Sequence, residues 1–334
     1  MAAARGTAKT LKKLEKSVGD GNYYEAHQMY RTVANRYVKA QNYNDAIDLL
    51  HSGAMLLLKH KQGNSGTDLA IYLIDVYNQA KIPVTEESRD RIFDLADLMG
   101  PENTQRRSFL QGAISWSGYN GEYREGDPLI QHYVGLLFWR EKDYAQAEAH
   151  LLVGTQESAE ALGLALFEWS EMEPSHDKGA YLLRGVLQEL SMKNLRDANV
   201  VYKTFVERLP STYLASEQKY NTPSGSTKTV QTFKSSLLNF TQLLLLSCET
   251  GNPALFKQLS AKYKGILSID ENFGAMMATI GELFFGVRAP KQANLLADLM
   301  SSLFSGPPAS SSRPALGAGA EEAQPSQPTI EEMD

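Results

Sequence analysis

GNYYEAHQMYRTVANRYVKAQNYNDAIDLL, residues 21 to 50, holds one short phrase twice, Asn22-Tyr-Tyr-Glu-Ala26 and Asn42-Tyr-Asn-Asp-Ala46. Near-copies return at Asp143-Tyr-Ala-Gln-Ala147 and Asn194-Leu-Arg-Asp-Ala198. Asn or Asp at the first position is a helix N-cap, and the acid or amide three residues on is placed to reach back to it, a variant of the capping box. The aromatic or Leu that follows and the Ala four positions after the cap lie close on the first turn, where a small Ala admits a neighbouring helix. A recurring helix start is the mark of a helical repeat, for which binding is the expected work and not chemistry.

Outward from this stretch, apolar positions at helical spacing run from Leu11 to Phe304 and predict about fifteen helices. The breaks are short and polar: Gly19 to Gly21, Gly63 to Gly66, Lys81-Ile-Pro83, Gly100-Pro101, Gly118 to Asp127, Pro174 and Gly251-Asn-Pro253. Such punctuation suits antiparallel helix hairpins, so the expected fold is all-α, a solenoid of TPR-like pairs. One stretch departs from it. Pro210 to Thr232 (PSTYLASEQKYNTPSGSTKTVQT) is rich in Ser, Thr and Gly, and Pro223-Ser-Gly225 reads as a turn, so 211–232 is expected to form a β-hairpin or a mobile loop. Residues 1–10 are read as a flexible start, and 306–334, rich in Pro, Ser, Ala and Gly, as a disordered tail.

With 43% apolar residues the chain can bury a core. The single cysteine, Cys248, has no internal partner, and no apolar run reaches the roughly 18 residues of a membrane span, so a reducing compartment, the cytosol, is expected. The N-terminus lacks the apolar core of a signal peptide, and although Arg5, Lys9, Lys12, Lys13 and Lys16 suggest a transit peptide, Glu15 and early helix entry favour an ordinary start. Net charge is −6, spread unevenly: residues 1–60 carry nine Lys/Arg against five Asp/Glu, a net +4, leaving −10 for the rest. The basic end favours an acidic partner; the pI of about 5.6 and the absence of any recognised motif argue against nucleic acid.

No GxxxxGK[ST], HExxH, paired-Cys or GxSxG motif is present. Gly63-Asn-Ser-Gly66-Thr-Asp68 resembles a phosphate loop but lacks the Lys, and reads as a helix-linking turn with Thr67 as a cap. The six histidines never stand at i, i+4, so no helix-borne metal pair is expected. Cys248, inside LLLLSCET, reads as a small core residue. Tyr23, Tyr24, Tyr30, Tyr37 and Tyr43 read as wedges between stacked helices. Arg31, Asn35, Arg36 and Lys39 fall on roughly one face of their helix. No cofactor, metal or catalytic role is expected.

Three ordered signatures carry a resemblance: Gly21 to Ala54 followed by KQGNSGTDL (61–69), GDPLIQHYVG (126–135) and ELFFGVRAPKQ (282–292). Together they resemble the Golgi-to-ER traffic protein 4 family, of the fungal type, over about Leu11 to Phe304. The family's third signature usually has two prolines where this chain reads Arg288-Ala289-Pro290, and the tail does not carry over. The resemblance implies a right-handed α-solenoid that acts as a non-catalytic adaptor in the targeting of tail-anchored membrane proteins to the endoplasmic reticulum.

It further implies that the N-terminal repeats, 11–153, dock on a homodimeric targeting ATPase and modulate its hydrolysis. The C-terminal repeats, 154–305, would bind a ubiquitin-like-domain protein, as a heterodimer or heterotetramer, which in turn recruits a TPR co-chaperone; nothing would insert in the membrane. Carried onto this sequence, the anchoring face is His27, Arg31, Arg36 and Lys39, and Asp68 is the contact that modulates hydrolysis. The groove for the ubiquitin-like partner is assigned to Leu237, Phe240, Leu244, Phe284 and Phe285. The alternative is a generic helical-repeat scaffold of another multiprotein complex.

Overall fold

The computed structural model describes residues 12–221, 227–268 and 270–287, and among these the chain is a run of fifteen α-helices broken by one β-hairpin. The helices are α1 (12–19), α2 (Tyr23–Lys39), α3 (Tyr43–Lys59), α4 (Gly63–Ala80), α5 (Glu86–Leu98), α6 (Arg106–Asn120), α7 (Pro128–Arg140), α8 (Tyr144–Leu151), α9 (Gln156–Met172), α10 (Lys178–Ser191) and α11 (Leu195–Arg208). After a 3₁₀ turn come β1 (Leu214–Asn221) and β2 (Thr227–Phe233), then α12 (Ser236–Thr250), α13 (Pro253–Lys262), the single turn α14 (Lys264–Leu267) and α15 (Glu271–Phe285). From α2 onward the helices pack mainly on sequence neighbours or next neighbours, as α2 on α3 and α4, α7 on α8 and α9, and α9 on α10 and α11, the contact pattern of a solenoid, and α15 also packs on α10. Across residues 153 and 154, α8 and α7 both pack on α9. The expected tail, 306–334, lies outside the described residues.

The repeated phrase does begin helices α2, α3, α8 and α11, and its fourth-position alanines, Ala26, Ala46, Ala147 and Ala198, are completely buried. Removing side-chain bulk at these places lets the helix axes approach. The same logic operates at Gly53, where an added Cβ would lie 2.6 Å from the ring of the buried Tyr30. Of the five tyrosines read as wedges, Tyr24 is instead 75% exposed.

The capping expectation needs correction. Asn22 and Asn42 accept no side-chain cap bond, Asp143 and Asn194 accept one each, from Gln146 N and Asp197 N, and no copy completes a box. The boxes form elsewhere, at Thr85 with Ser88 and Thr155 with Ser158. The reason is backbone geometry. Asn22 and Asn42, which make no cap bond, sit at ψ 56° and 63°, Asp143 and Asn194, which make one, at 72° and 73°, and Thr85 and Thr155, which form the boxes, are extended, the usual N-cap conformation. Thr67 is no cap either: it is buried inside α4 and accepts a hydrogen bond from Asn103 Nδ2 at 2.6 Å.

What the phrase marks is a two-residue joint. Gly21, Gln41, Lys61, Lys142 and Lys193 all have positive φ, and the next residue's N–H reaches back five residues, as from Asn42 to the Tyr37 carbonyl, while the positive-φ residue's own N–H reaches back three. That is the Schellman pattern, and each joint ends one helix while the following residue starts the next. Four of the five joints put a side chain where glycine is favoured.

The stretch 211–232 resolves into the hairpin. Antiparallel β1 and β2 pair from Ser216 with Thr232 to Asn221 with Thr227. The outer edge of β2 is closed by side-chain amides of α12: Gln242 bonds both the N–H and C=O of Gln231, and Asn239 both those of Phe233. Two amides thus stand in for a third strand.

Two outcomes are expected. Lys142→Gly and Lys193→Gly, by relieving left-handed backbone strain, each raise stability by up to about 1 kcal/mol, read as a higher thermal midpoint, while Gly21→Ala lowers it. Glu189 of α10 is 2% exposed, and its Oε2 lacks a hydrogen-bond partner. Burial, then the Asp197 charge, push its carboxyl up to about 8 against the opposing pull of Asn194 and Arg196. A raised carboxyl stays protonated in the fold, so its ionisation costs stability as pH climbs from the unfolded value through 8. Glu189→Gln therefore raises the thermal midpoint at pH 9 and leaves it nearly unchanged at pH 4.5.

Candidate partner-binding faces

The residues assigned to the N-terminal face divide into two groups. His27 and Arg31, one turn apart on α2, converge on Asp68 of α4: His27 Nε2 lies 2.7 Å from Asp68 Oδ2, and Arg31 Nη1 donates to Oδ1 and Oδ2 at 2.6 and 2.5 Å. Burial raises the Asp68 carboxyl, but the hydrogen bonds from Arg31 and His27 outweigh it and hold the group below the usual carboxylate range. Asp68 lies more than a turn inside α4, so capping is not its role. The cluster stays open to a partner, with the side chains of Arg31 and Asp68 44% and 34% exposed.

Two residues that sequence reasoning missed complete the cluster. The Arg31 guanidinium sits over the Tyr72 ring, 5.5 Å from its centroid. Asp75, exposed on the same helix, has its carboxyl raised by partial desolvation and lowered by Arg31. Asp68, Tyr72 and Asp75 are spaced i, i+4, i+7 and so form one row along α4. That spacing was in the sequence; what was missing was the knowledge that α2 lies across α4.

Arg36 and Lys39 are exposed and have no ion-pair partner among the described residues. At 100° per residue Arg36 lies about 140° around α2 from Arg31, so the four basic residues are spread over half the helix circumference instead of sharing a narrow face. The position of α4 explains the division, because His27 and Arg31 lie on the side of α2 that meets Asp68, and Arg36 and Lys39 lie further around the helix.

At the other end, the five residues assigned to the groove lie mostly inside the core. Leu237, Phe240 and Leu244 of α12 and Phe285 of α15 are buried, and Phe284 is half-buried. Phe285 stacks on Phe256 with ring centroids 4.4 Å apart, and Phe240 meets Tyr263 at 5.2 Å. Spaced i, i+3, i+7, the three α12 residues form its core stripe. The offset positions of the same helix reach the surface: Leu243 and Leu246 of α12, with Leu255, Leu259 and Tyr263, line an apolar cleft of about 280 Å³. Burial pushes the Cys248 thiol up to about 12, which removes the thiolate that chemistry would need. Among the described residues no group of three or more His, Cys, Asp or Glu is placed to hold a metal ion, and no helix is long and apolar enough to cross a membrane.

Comparison with known proteins agrees with this architecture. The family model described as Golgi to ER traffic protein 4 matches residues 40–304. The Golgi to ER traffic protein 4 of Aspergillus fumigatus is 36% identical over 314 residues, covering 89% of this chain and 90% of the relative, and the human homolog is 32% identical over 305 residues, covering 89% and 87%. A solved structure, the crystal structure of C. therm. Get4, superposes with a TM-score of 0.79 at 36% identity, covering 90% of this chain and 96% of that one. The family-model match begins just after α2, takes in the hairpin and ends at the start of the Pro- and Ser-rich tail. The chain belongs to the Golgi to ER traffic protein 4 family.

Proposed function

We propose that this protein is a non-catalytic cytosolic adaptor in the delivery of tail-anchored membrane proteins to the endoplasmic reticulum. Its N-terminal repeats, 11–153, dock on a homodimeric targeting ATPase. Its C-terminal repeats, 154–305, hold a ubiquitin-like-domain protein, which brings a TPR co-chaperone and its client. The observation that carries the reading is the split basic face of α2: Arg36 and Lys39 are exposed with no ion-pair partner among the described residues, while His27 and Arg31 hold Asp68 in an open, charged cluster. Unpaired exposed charges act at long range and steer encounter; a paired cluster acts at contact and sets geometry. The family membership supports traffic as the setting, and the apolar cleft of α12 and α13 offers the C-terminal repeats a place for the partner's apolar side chains.

Reversing Arg36 and Lys39 together to Glu is expected to weaken ATPase binding roughly tenfold and flatten its salt dependence, with the helical circular dichroism unchanged. Unaltered affinity contradicts the anchor. Asp68→Lys is expected to change the ATPase rate at saturating adaptor while affinity changes far less; lost affinity with an unchanged rate contradicts the modulating role. Leu243→Asp and Leu255→Asp, at the exposed rim of the cleft, are expected to release the ubiquitin-like partner in a pull-down without lowering the thermal midpoint.

A further inference from the structure

Arg31 is both an expected anchor and a residue already paired within the chain. Its Nη1 meets both oxygens of Asp68, and an acidic group on a partner has to compete with that carboxylate for the same guanidinium. With His27 Nε2 on Oδ2 as well, Asp68 is already well supplied with donors. The Asp68–Arg31 pair carries no net charge toward the solvent.

We infer that Asp68 is an internal competitor for Arg31, and that docking of an acidic partner surface trades the Asp68–Arg31 pair for a contact between Arg31 and the partner. This rests on the adaptor reading above and specifies how its α2 face is regulated. Three observations argue for exchange over a fixed pin. Both side chains are substantially exposed, so the pair forms in high dielectric, where an ion pair contributes little net stability and opens at small cost. The Tyr72 ring lies under the guanidinium and Asp75 adds its field from the same row, so Arg31 stays positioned when Asp68 lets go. His27 remains as a donor to Asp68, so the released carboxylate is not stranded. Tyr72 is then a positioning residue.

The test is calorimetric titration of the full chain with the ATP-loaded targeting ATPase at one ionic strength, using wild type, Asp68→Asn, Arg31→Gln and the double variant. Exchange predicts that Asp68→Asn tightens binding several-fold, that Arg31→Gln weakens it, and that the double variant matches Arg31→Gln, because a competitor has no effect once its target is gone. In the Asp68→Asn background, Tyr72→Ala abolishes the gain and Tyr72→Phe keeps it. Weaker binding by Asp68→Asn, or an Asp68 effect of equal size with and without Arg31, overturns exchange while leaving the adaptor reading intact. No binding by the wild-type chain overturns both. Should Asp68→Asn lower the thermal midpoint, the wild-type chain decides alone: the Arg31 Nε–H resonance shifts on adding the ATPase if the pair is exchanged, and an unmoved resonance refutes exchange.

Discussion

Everything in this protein hangs on a two-residue joint between helices. A residue in the left-handed region closes one helix by the Schellman pattern, and the next residue opens the following helix, so the chain reverses with almost no loop. So tight a reversal forces adjacent helices together within a turn of the joint. Only small residues fit there, which is why Ala26, Ala46, Ala147 and Ala198 are fully buried. Joint and small residue are two halves of one constraint: the first sets the angle at which helices meet, the second the distance.

Much of this was legible in the sequence, for a physical reason. Helix starts and apolar periodicity are local properties, and the phrase beginning at Asn22 and Asn42 declares both, so the helix count and the burial of its alanines followed. The capping role did not, because whether an Asn side chain reaches its own helix depends on ψ at that residue, and the joint fixes ψ near 60°. Lys61-Gln62 makes the same joint without the phrase, since a Schellman turn asks for a backbone conformation and not for a particular side chain.

The candidate faces show the same division. His27, Arg31 and Asp68 could each be singled out from the sequence, but their mutual hydrogen bonds belong to tertiary structure, because 41 and 37 positions of chain separate the partners. Tyr72 and Asp75 were missed for the same reason. On α12, Leu237, Phe240 and Leu244 form a regular apolar stripe, and regularity is a sign of core, whereas the irregular Leu243 and Leu246 line the cleft. The hairpin that follows α11 is anchored by the Asn239 and Gln242 amides, so a strand pair that would be marginal alone is held beside the same helix that lines the cleft.

A run of helices with a charged face near one end and an apolar cleft near the other suits the proposed adaptor role, and that role is the central claim. It is tested most directly by calorimetry of this chain against the targeting ATPase with ATP, with ADP and without nucleotide, each at two salt concentrations. The account predicts tight binding that prefers ATP and weakens as salt rises; the absence of binding in every nucleotide state would contradict it.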